Sequence, residues 1–212
     1  MADIFELFKQ ISKKEEVAGA PEWIIAGLGN PGREYEKTRH NAGFMAIDRI
    51  AGRLGTDILR SRFRSLTGTA VMGGHRVLLM KPLTYMNLSG EAIREAADFY
   101  RIPAEKVLVL VDDVYLAAGR MRIRGNGSDG GHNGLANIIY QLGTNTFPRI
   151  RLGVGEKPNP EYDMKDWVLG KFPEADLKRL AGSLDDAYDA ALMIMDGKLS
   201  DAMCAYNGKV HT

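Results

Sequence analysis

Trp23-Ile-Ile-Ala-Gly-Leu-Gly-Asn-Pro-Gly32 is the stretch whose reading decides the fold. Trp23–Leu28 is apolar and short enough for a buried strand, and the residues after it are rich in turn formers. Gly27-Leu-Gly-Asn-Pro-Gly32 also fits the dinucleotide pattern G-x-G-x-x-G, so the residues just beyond Gly32 decide between two readings. That pattern needs a helix starting at the turn, with free N–H groups facing a pyrophosphate. Here Pro31 removes one donor, and the polar segment Arg33–His40 intervenes before any helical pattern begins. The helix is expected from Asn41 to Leu54, with Phe44, Ile47, Ile50, Ala51 and Leu54 on one face. The acid that a dinucleotide site places about 20 residues on, at the end of a second strand, would fall inside that helix. Strand, loop, then helix is the reading, and no cofactor is expected.

The alternation continues outward. Ser65–Met72 and Arg76–Met80 flank Gly73-Gly74 and read as a hairpin. Lys81–Gly90 is a loop, with Ser89 or Asn87 placed to cap a helix over Glu91–Tyr100. Val107–Val111 is a continuous apolar run, hence a central strand, and it ends in Asp112-Asp113. Arg120–Arg124 alternates charged and apolar residues, as an edge or half-exposed strand does. A glycine-rich segment then leads to a helix over Leu135–Leu142. Ile150–Val154 and Trp167–Gly170 read as further short strands, and Glu174 onward is mostly helical. The prediction is an α/β fold: a single domain over 21–212, with a twisted mixed β-sheet and helices on both faces. Residues 1–20 read as an amphipathic leader and linker, with Ile4, Phe5, Leu7, Phe8 and Ile11 at helical spacing.

Composition sets the compartment. Hydrophobic content of 45% and charged content of 26% over 212 residues are ordinary for a soluble globular protein. The single Cys204 allows no intramolecular disulfide and no cysteine-built zinc site, which fits a reducing compartment. No window has the length and purity of a membrane span, and the N-terminus lacks the basic start and apolar core of a secretory signal. A cytoplasmic protein is expected. The net charge of +1 argues against a nucleic-acid partner, but the charge is uneven. Between Val114 and Gly155 stand Arg120, Arg122, Arg124, Arg149 and Arg151 with Asp129 as the sole acid, whereas the last stretch leans acidic. A local basic patch can dock a few phosphates without gripping long duplex, and pairing with acids elsewhere is the alternative.

Chemistry concentrates in two similar elements, His40-Asn41 within Tyr35–Phe44 and His132-Asn133 within Gly127–Gly134. Imidazole is the side chain best suited to move a proton near neutral pH. An asparagine amide suits a carbonyl or a ribose hydroxyl. Ligands gather at the carboxyl ends of strands in open α/β sheets. Asn30 follows the first strand, Asn87 follows the hairpin, Asp112 ends the apolar strand, and both histidines lie in loops just before helices. Asp113 rivals Asp112, and spacing does not separate them. Taken singly, His40 has an alternative reading as a cap or core residue and Asp112 as a cap or turn residue, while Met86 reads as core packing. His75 and His211 have no such company and are expected to be solvated. G-x-S-x-G, H-E-x-x-H and P-loop patterns are absent.

Gly27-Leu-Gly-Asn-Pro-Gly32, Tyr35-x-x-Thr-Arg-His-Asn-x-Gly43, Lys81-Pro-x-Thr-Tyr-Met-Asn-x-Ser-Gly90, Asp112-Asp113 and Gly127-Ser-x-x-Gly-His-Asn-Gly134 occur in this order. In these motifs the chain resembles the bacterial peptidyl-tRNA hydrolase family, from residue 22 to about 200. The resemblance implies hydrolysis of the ester between a peptide and the 3′-terminal ribose of tRNA, which recycles tRNA from aborted translation. It implies His40 as the catalytic base, Asp112 as the carboxylate that orients it, and Asn87 as the holder of the scissile carbonyl. It implies Asn30 and Asn133 on the peptide side, Tyr35, Met86 and His132 lining the cleft, and Asn41 on the tRNA 3′ end. Arg124 and Arg151 fall where the family keeps basic residues for tRNA phosphates, and the family is typically monomeric. Tyr115, at a position often acidic in the family, and Ala117-Ala118, in place of a turn that commonly holds proline, depart from its pattern.

The implied chemistry is self-consistent. An ester needs less activation than an amide, so water and one general base suffice, and no metal is called for. An acid on the far ring nitrogen fixes the tautomer and stabilises the imidazolium. The competing expectation is an RNA 3′-end binding module in which His40 and His132 stack on nucleotides without chemistry.

Overall fold

Trp23–Gly27 forms β1, and each of its residues is buried. The computed structural model describes residues 19–212, so nearly all of the leader expected at 1–20 lies outside the described residues. The other strands are β2 (Arg60–Arg62), β3 (Ser65–Met72), β4 (His75–Pro82), β5 (Val107–Asp113), β6 (Met121–Arg124) and β7 (Arg149–Gly153). They make one sheet in the order β2-β3-β4-β1-β5-β7-β6. β1 runs parallel to β4 and β5, and β5 parallel to β7, while the β2-β3-β4 meander and the β6 edge are antiparallel. The sheet is mixed, as the hairpin among strand–helix units predicts. The helices are α1 (Ala42–Leu54), α2 (Ser89–Tyr100), α3 (Asn133–Leu142), α4 (Met164–Leu169), α5 (Glu174–Met195) and α6 (Leu199–Tyr206). No helix of the described residues is long and apolar enough to cross a membrane.

Strand alternation divides the core into two layers. Ile25, Val77, Leu79, Leu108 and Leu110 point to one face, where Ile47 and Ile50 of α1 and Leu180, Ala187 and Ala191 of α5 cover them. Ile24, Leu78, Met80, Val109 and Val111 point to the other, against Ile93 and Ala96 of α2 and Leu135 and Ile138 of α3. Both faces of the central strands are therefore buried, which is why β5 reads as an unbroken apolar run and not as an alternation.

Gly27 and Gly43 set how closely α1 meets this sheet. A Cβ on Gly27 would lie 2.1 Å from the Gly43 carbonyl oxygen, and one on Gly43 would lie 2.4 Å from the Leu110 oxygen. The first glycine of the apparent dinucleotide pattern is thus a packing residue. Arg33–Tyr35 after Gly32 is only a 3-10 turn, so no α-helix starts where a pyrophosphate would need one.

Several expectations change. Trp167–Gly170 is not a strand: it falls in and just after α4, whose N-terminus is capped by Asp163 accepting from Lys165 N at 2.7 Å and Asp166 N at 3.1 Å. A short apolar run carries no period of its own, and the cap settles it. Neither Ser89 nor Asn87 caps α2, whose first residue is Ser89. The Ser89 hydroxyl instead donates back to Met86 O at 2.9 Å. His75 and His211 do have partners, Asp196 at 3.1 Å and Asp186 at 2.6 Å. The edge strand β2 and the separate helix α6 carry no clear sequence signal. β6 is the edge its alternation implied.

Candidate active site

The carboxyl ends of β1, β4 and β5 open on a cavity of about 550 Å³. Its wall includes Asn30 just after β1, Met86 and Asn87 after β4, Asp112 at the end of β5, His40 from the turn ahead of α1, and His132 and Asn133 from the N-cap and first residue of α3. Residues far apart in sequence meet because parallel strands deliver their ends to one edge.

At the floor, Asp112 receives both histidines. His40 Nδ1 lies 2.9 Å from Asp112 Oδ1 and 3.1 Å from Oδ2, and His132 Nε2 lies 3.0 Å from Oδ1. The two rings are 5.0 Å apart at 51°. His132 is the N-cap of α3, its Nδ1 accepting the Leu135 N–H at 3.3 Å. An acceptor at Nδ1 requires the proton on Nε2, which donates to Asp112, so both His132 nitrogens are engaged. His40 donates from Nδ1, and its Nε2 carries a lone pair with no hydrogen-bond partner among the described residues. The imidazole with a free nitrogen is the one that can take a proton from water.

Electrostatics keep this arrangement charged at one point. Burial alone would raise the Asp112 pKa, but the charges and hydrogen bonds of His40 and His132 hold it well below the usual carboxylate range. Burial pushes His40 down, while the Asp112 charge and hydrogen bond push it up, and the net is a raised pKa. Asp113 is engaged elsewhere. Its Oδ1 accepts the Tyr115 N–H at 2.9 Å, and its Oδ2 pairs with Arg151 Nε at 2.9 Å. Asp112, not Asp113, touches the histidines. His40, Asp112 and His132 also offer ligand atoms within 4.8 Å of one another, so they could hold a metal ion. Ligation by His132 would cost either the ring proton that now bonds Asp112 or the lone pair that caps α3.

The asparagines sort by what their amides already do. Asn41 is buried, its Oδ1 accepting from Asn30 N at 2.8 Å and its Nδ2 donating to Asn30 O at 3.0 Å. That amide is spent on fixing Asn30, and Asn41 is not among the residues that line the cavity. Asn30 Oδ1 accepts from Met86 N at 2.9 Å, which steadies the Met86-Asn87 segment and leaves the Asn30 NH₂ for the cavity it lines. Asn87 and Asn133 are exposed on the wall, their amides without hydrogen bonds among the described residues. Tyr85, just before them, holds φ at 57° and is 56% exposed, so it turns outward at the cavity. Tyr35 is half-buried in its 3-10 turn and is not among the lining residues.

The expected basic patch divides. Arg149 is 1% exposed and donates to the carbonyls of Gly127 and Asn145 at 2.9 and 2.6 Å, with its guanidinium 3.9 Å over the Phe147 ring. Burial, helped by Arg151, lowers its pKa to about 10, so it stays charged and anchors the loop that carries His132. It is not a phosphate contact. Arg151 lines the cavity beside Asp113, and Arg124 is exposed on the edge strand β6, off the cavity. Missed from sequence was the wall contributed by Met164, Lys165, Val168 and Leu169 of α4. The signal was Asp163 standing three residues before Asp166, a helix start ahead of an apolar run.

A family model described as peptidyl-tRNA hydrolase matches residues 24–212. A protein named peptidyl-tRNA hydrolase from Thermoanaerobacter sp. is 47% identical over 186 residues, covering 88% of this chain and 100% of the relative. One of the same name from Caldanaerobacter subterraneus is 48% identical over 88% of this chain and 100% of its own. The crystal structure of peptidyl-tRNA hydrolase from Acinetobacter baumannii superposes with a TM-score of 0.83 at 35% identity, covering 89% of this chain and 95% of that one. The chain belongs to the peptidyl-tRNA hydrolase family.

Proposed function

We propose that this member of the peptidyl-tRNA hydrolase family cleaves the ester between a peptide and the 3′-terminal ribose of tRNA, with His40 as general base. The observation that carries the assignment is the asymmetry at Asp112: His40 keeps a free Nε2 over the cavity, while His132 has none left. Water bound between His40 Nε2 and the ester carbonyl loses a proton to the ring as its oxygen attacks. Asp112 stabilises the imidazolium that forms without taking the proton itself. The Asn87 amide, exposed beside the floor, donates to the developing oxyanion. His40 then returns the proton to the departing ribose oxygen, and free tRNA and peptide leave.

Asn30, Asn133 and Met86 line the peptide side, and His132 acts through Asp112. Contacts to the peptide link through amides accept any side chain, whereas among the described residues a free α-ammonium finds no acid on the cavity wall except Asp112, already engaged. Arg124 and Arg151 contact tRNA phosphates, which position the substrate without reading its sequence. With about two such contacts, affinity should fall only shallowly with salt, at about 0.7 to 0.9 in log–log slope per contact. A monomer is the state the family resemblance implies, and the compartment is the cytoplasm where peptidyl-tRNA arises.

The test is turnover of an N-acetylated aminoacyl-tRNA by wild type and His40→Ala. Cleavage by the wild type with loss in the variant is expected. Equal rates would sink the mechanism, and tight tRNA binding without cleavage by the wild type would make the protein an RNA 3′-end binding module instead.

A further inference from the structure

Arg39 immediately precedes His40 yet turns away from the cavity floor. It is 5% exposed and makes no ion pair among the described residues. Its guanidinium carbon lies 3.5 Å from the centroid of the Trp167 ring and 5.7 Å from that of Phe172. Nη1 donates to Lys171 O at 3.2 Å and more loosely to Trp167 O at 3.4 Å, so it meets the carbonyls at the end of α4. The backbone repeats the link: Arg39 N donates to Gly170 O at 3.0 Å, Phe172 N to Lys37 O at 3.0 Å, and Thr38 bridges Lys171. A cation so deeply desolvated, held by carbonyls and ring faces, is costly to keep, and burial accordingly lowers its pKa.

What it holds is short and has few other ties. α4 spans only Met164–Leu169; apart from its cap, its side-chain hydrogen bond among the described residues is Trp167 Nε1 donating to Gly155 O at 2.9 Å, with Val168 buried and Tyr162 edge-on to Trp167. Its other face supplies Met164, Lys165, Val168 and Leu169 to the cavity. His40 does not depend on this link for its orientation, since Asp112 grips its ring and the 3-10 turn closes through Asn41 N on Thr38 O at 3.1 Å.

We propose that Arg39 is a positioning residue for substrate binding, which clamps α4 against the catalytic turn by stacking on Trp167 and so sets the wall of the cavity that His40 serves. The clamp needs the planar guanidinium, because lysine cannot stack flat on indole while donating sideways to carbonyls. The proposal rests on peptidyl-tRNA as substrate, but its structural half does not. Arg39→Lys and Trp167→Leu are each to be assayed on N-acetylated aminoacyl-tRNA beside the wild type, and the double variant with them. Each single variant should raise KM on the order of tenfold with kcat within about twofold, since the wall binds substrate and transition state alike. The double variant should be no worse than the worse single, because one interaction cannot be lost twice. The midpoint of the acid limb of the pH profile should not move.

An unchanged KM in Arg39→Lys, a fall in kcat matching that in kcat/KM, additive losses in the double variant, or a moved midpoint would each overturn the clamp. In a Trp23→Phe background Trp167 is the remaining tryptophan, and Arg39→Lys should shift its emission; unchanged emission would overturn the stacking whatever the kinetics. A wild type that fails to cleave the ester would break the functional reading, while the emission result would still decide whether Arg39 holds α4.

Discussion

His40 sits in a 3-10 turn ahead of α1, and His132 caps α3; each is followed by an asparagine, and each rests on the same carboxylate. They differ in the second nitrogen. A backbone N–H occupies that of His132, and nothing among the described residues occupies that of His40. Their asparagines differ in the opposite sense: Asn41 is buried and consumed by Asn30, while Asn133 stands exposed on the wall. In each element one of the pair has its polar atoms engaged by the fold and the other keeps at least one free at the cavity, and the order is reversed. What a side chain can do here is decided by which of its polar atoms the fold has already used.

That comparison breaks most sharply at the histidines. His40→Ala should lower kcat by about 10²–10⁴-fold, the usual worth of a general base. An equal loss in His132→Ala, measured with the same substrate, would erase the distinction. Next in size is Asp112→Asn, expected to cost on the order of 10²–10³-fold by weakening the hold on the His40 tautomer. Asp113→Asn should cost much less, because Asp113 serves Tyr115 and Arg151. Asn87→Ala should lower kcat by about 10²-fold as one oxyanion donor is lost, with KM little changed.

The pH profile sharpens the same point. The base must be neutral, so kcat/KM should fall as pH drops through the His40 pKa, which lies above the ordinary value of about 6.5. In Asp112→Asn the raising influences vanish while burial stays, so the midpoint should move down; an upward move would contradict the pairing. Stability has its own sign. The raised His40 pKa contributes stability that is fully present below about 6.5 and is lost as pH rises through the folded value. The depressed Asp112 pKa contributes stability present above about 3.9 that is lost as pH falls toward its folded value. The smallest effect concerns the His132 cap. His132→Ala should cost about 1 kcal/mol in denaturant unfolding for the lost cap, plus about 1–3 kcal/mol for the hydrogen bond withdrawn from buried Asp112, and His132→Asn should recover only the cap share, since asparagine is itself a good N-cap.

Sequence carried the fold where a pattern repeats over a whole element, as in β1, β5 and α1, because burial on two faces or one stripe leaves a period to read. It failed where the deciding feature was a single atom. Trp167-Val-Leu169 looks like a strand until the Asp163 carboxylate is seen to accept from the turn after it. The motif residues converge on one cavity, but the motifs could not separate Asp112 from Asp113, since adjacent strand residues point to opposite faces and only the sheet decides which faces the histidines. Nor could they show that Arg149 belongs to the interior, because charge counts do not record that four carbonyl groups, those of Gly127, Ser128, Asn145 and Phe147, wait for a guanidinium there.

Gly27 and Gly43 bring α1 onto β1 main chain to main chain, with Leu110 O lying 2.4 Å from where a Gly43 Cβ would be. His40 stands three residues before Gly43, and Asp112 two residues after Leu110. The separation of His40 and Asp112 is therefore gauged by peptide atoms, which no repacking of side chains can lengthen. The constellation behaves as a part cut to a fixed ruler: transplanted into another α/β sheet it would need both glycines carried with it, and an alanine at either place would lift the helix and open the His40–Asp112 gap with neither of those two residues changed.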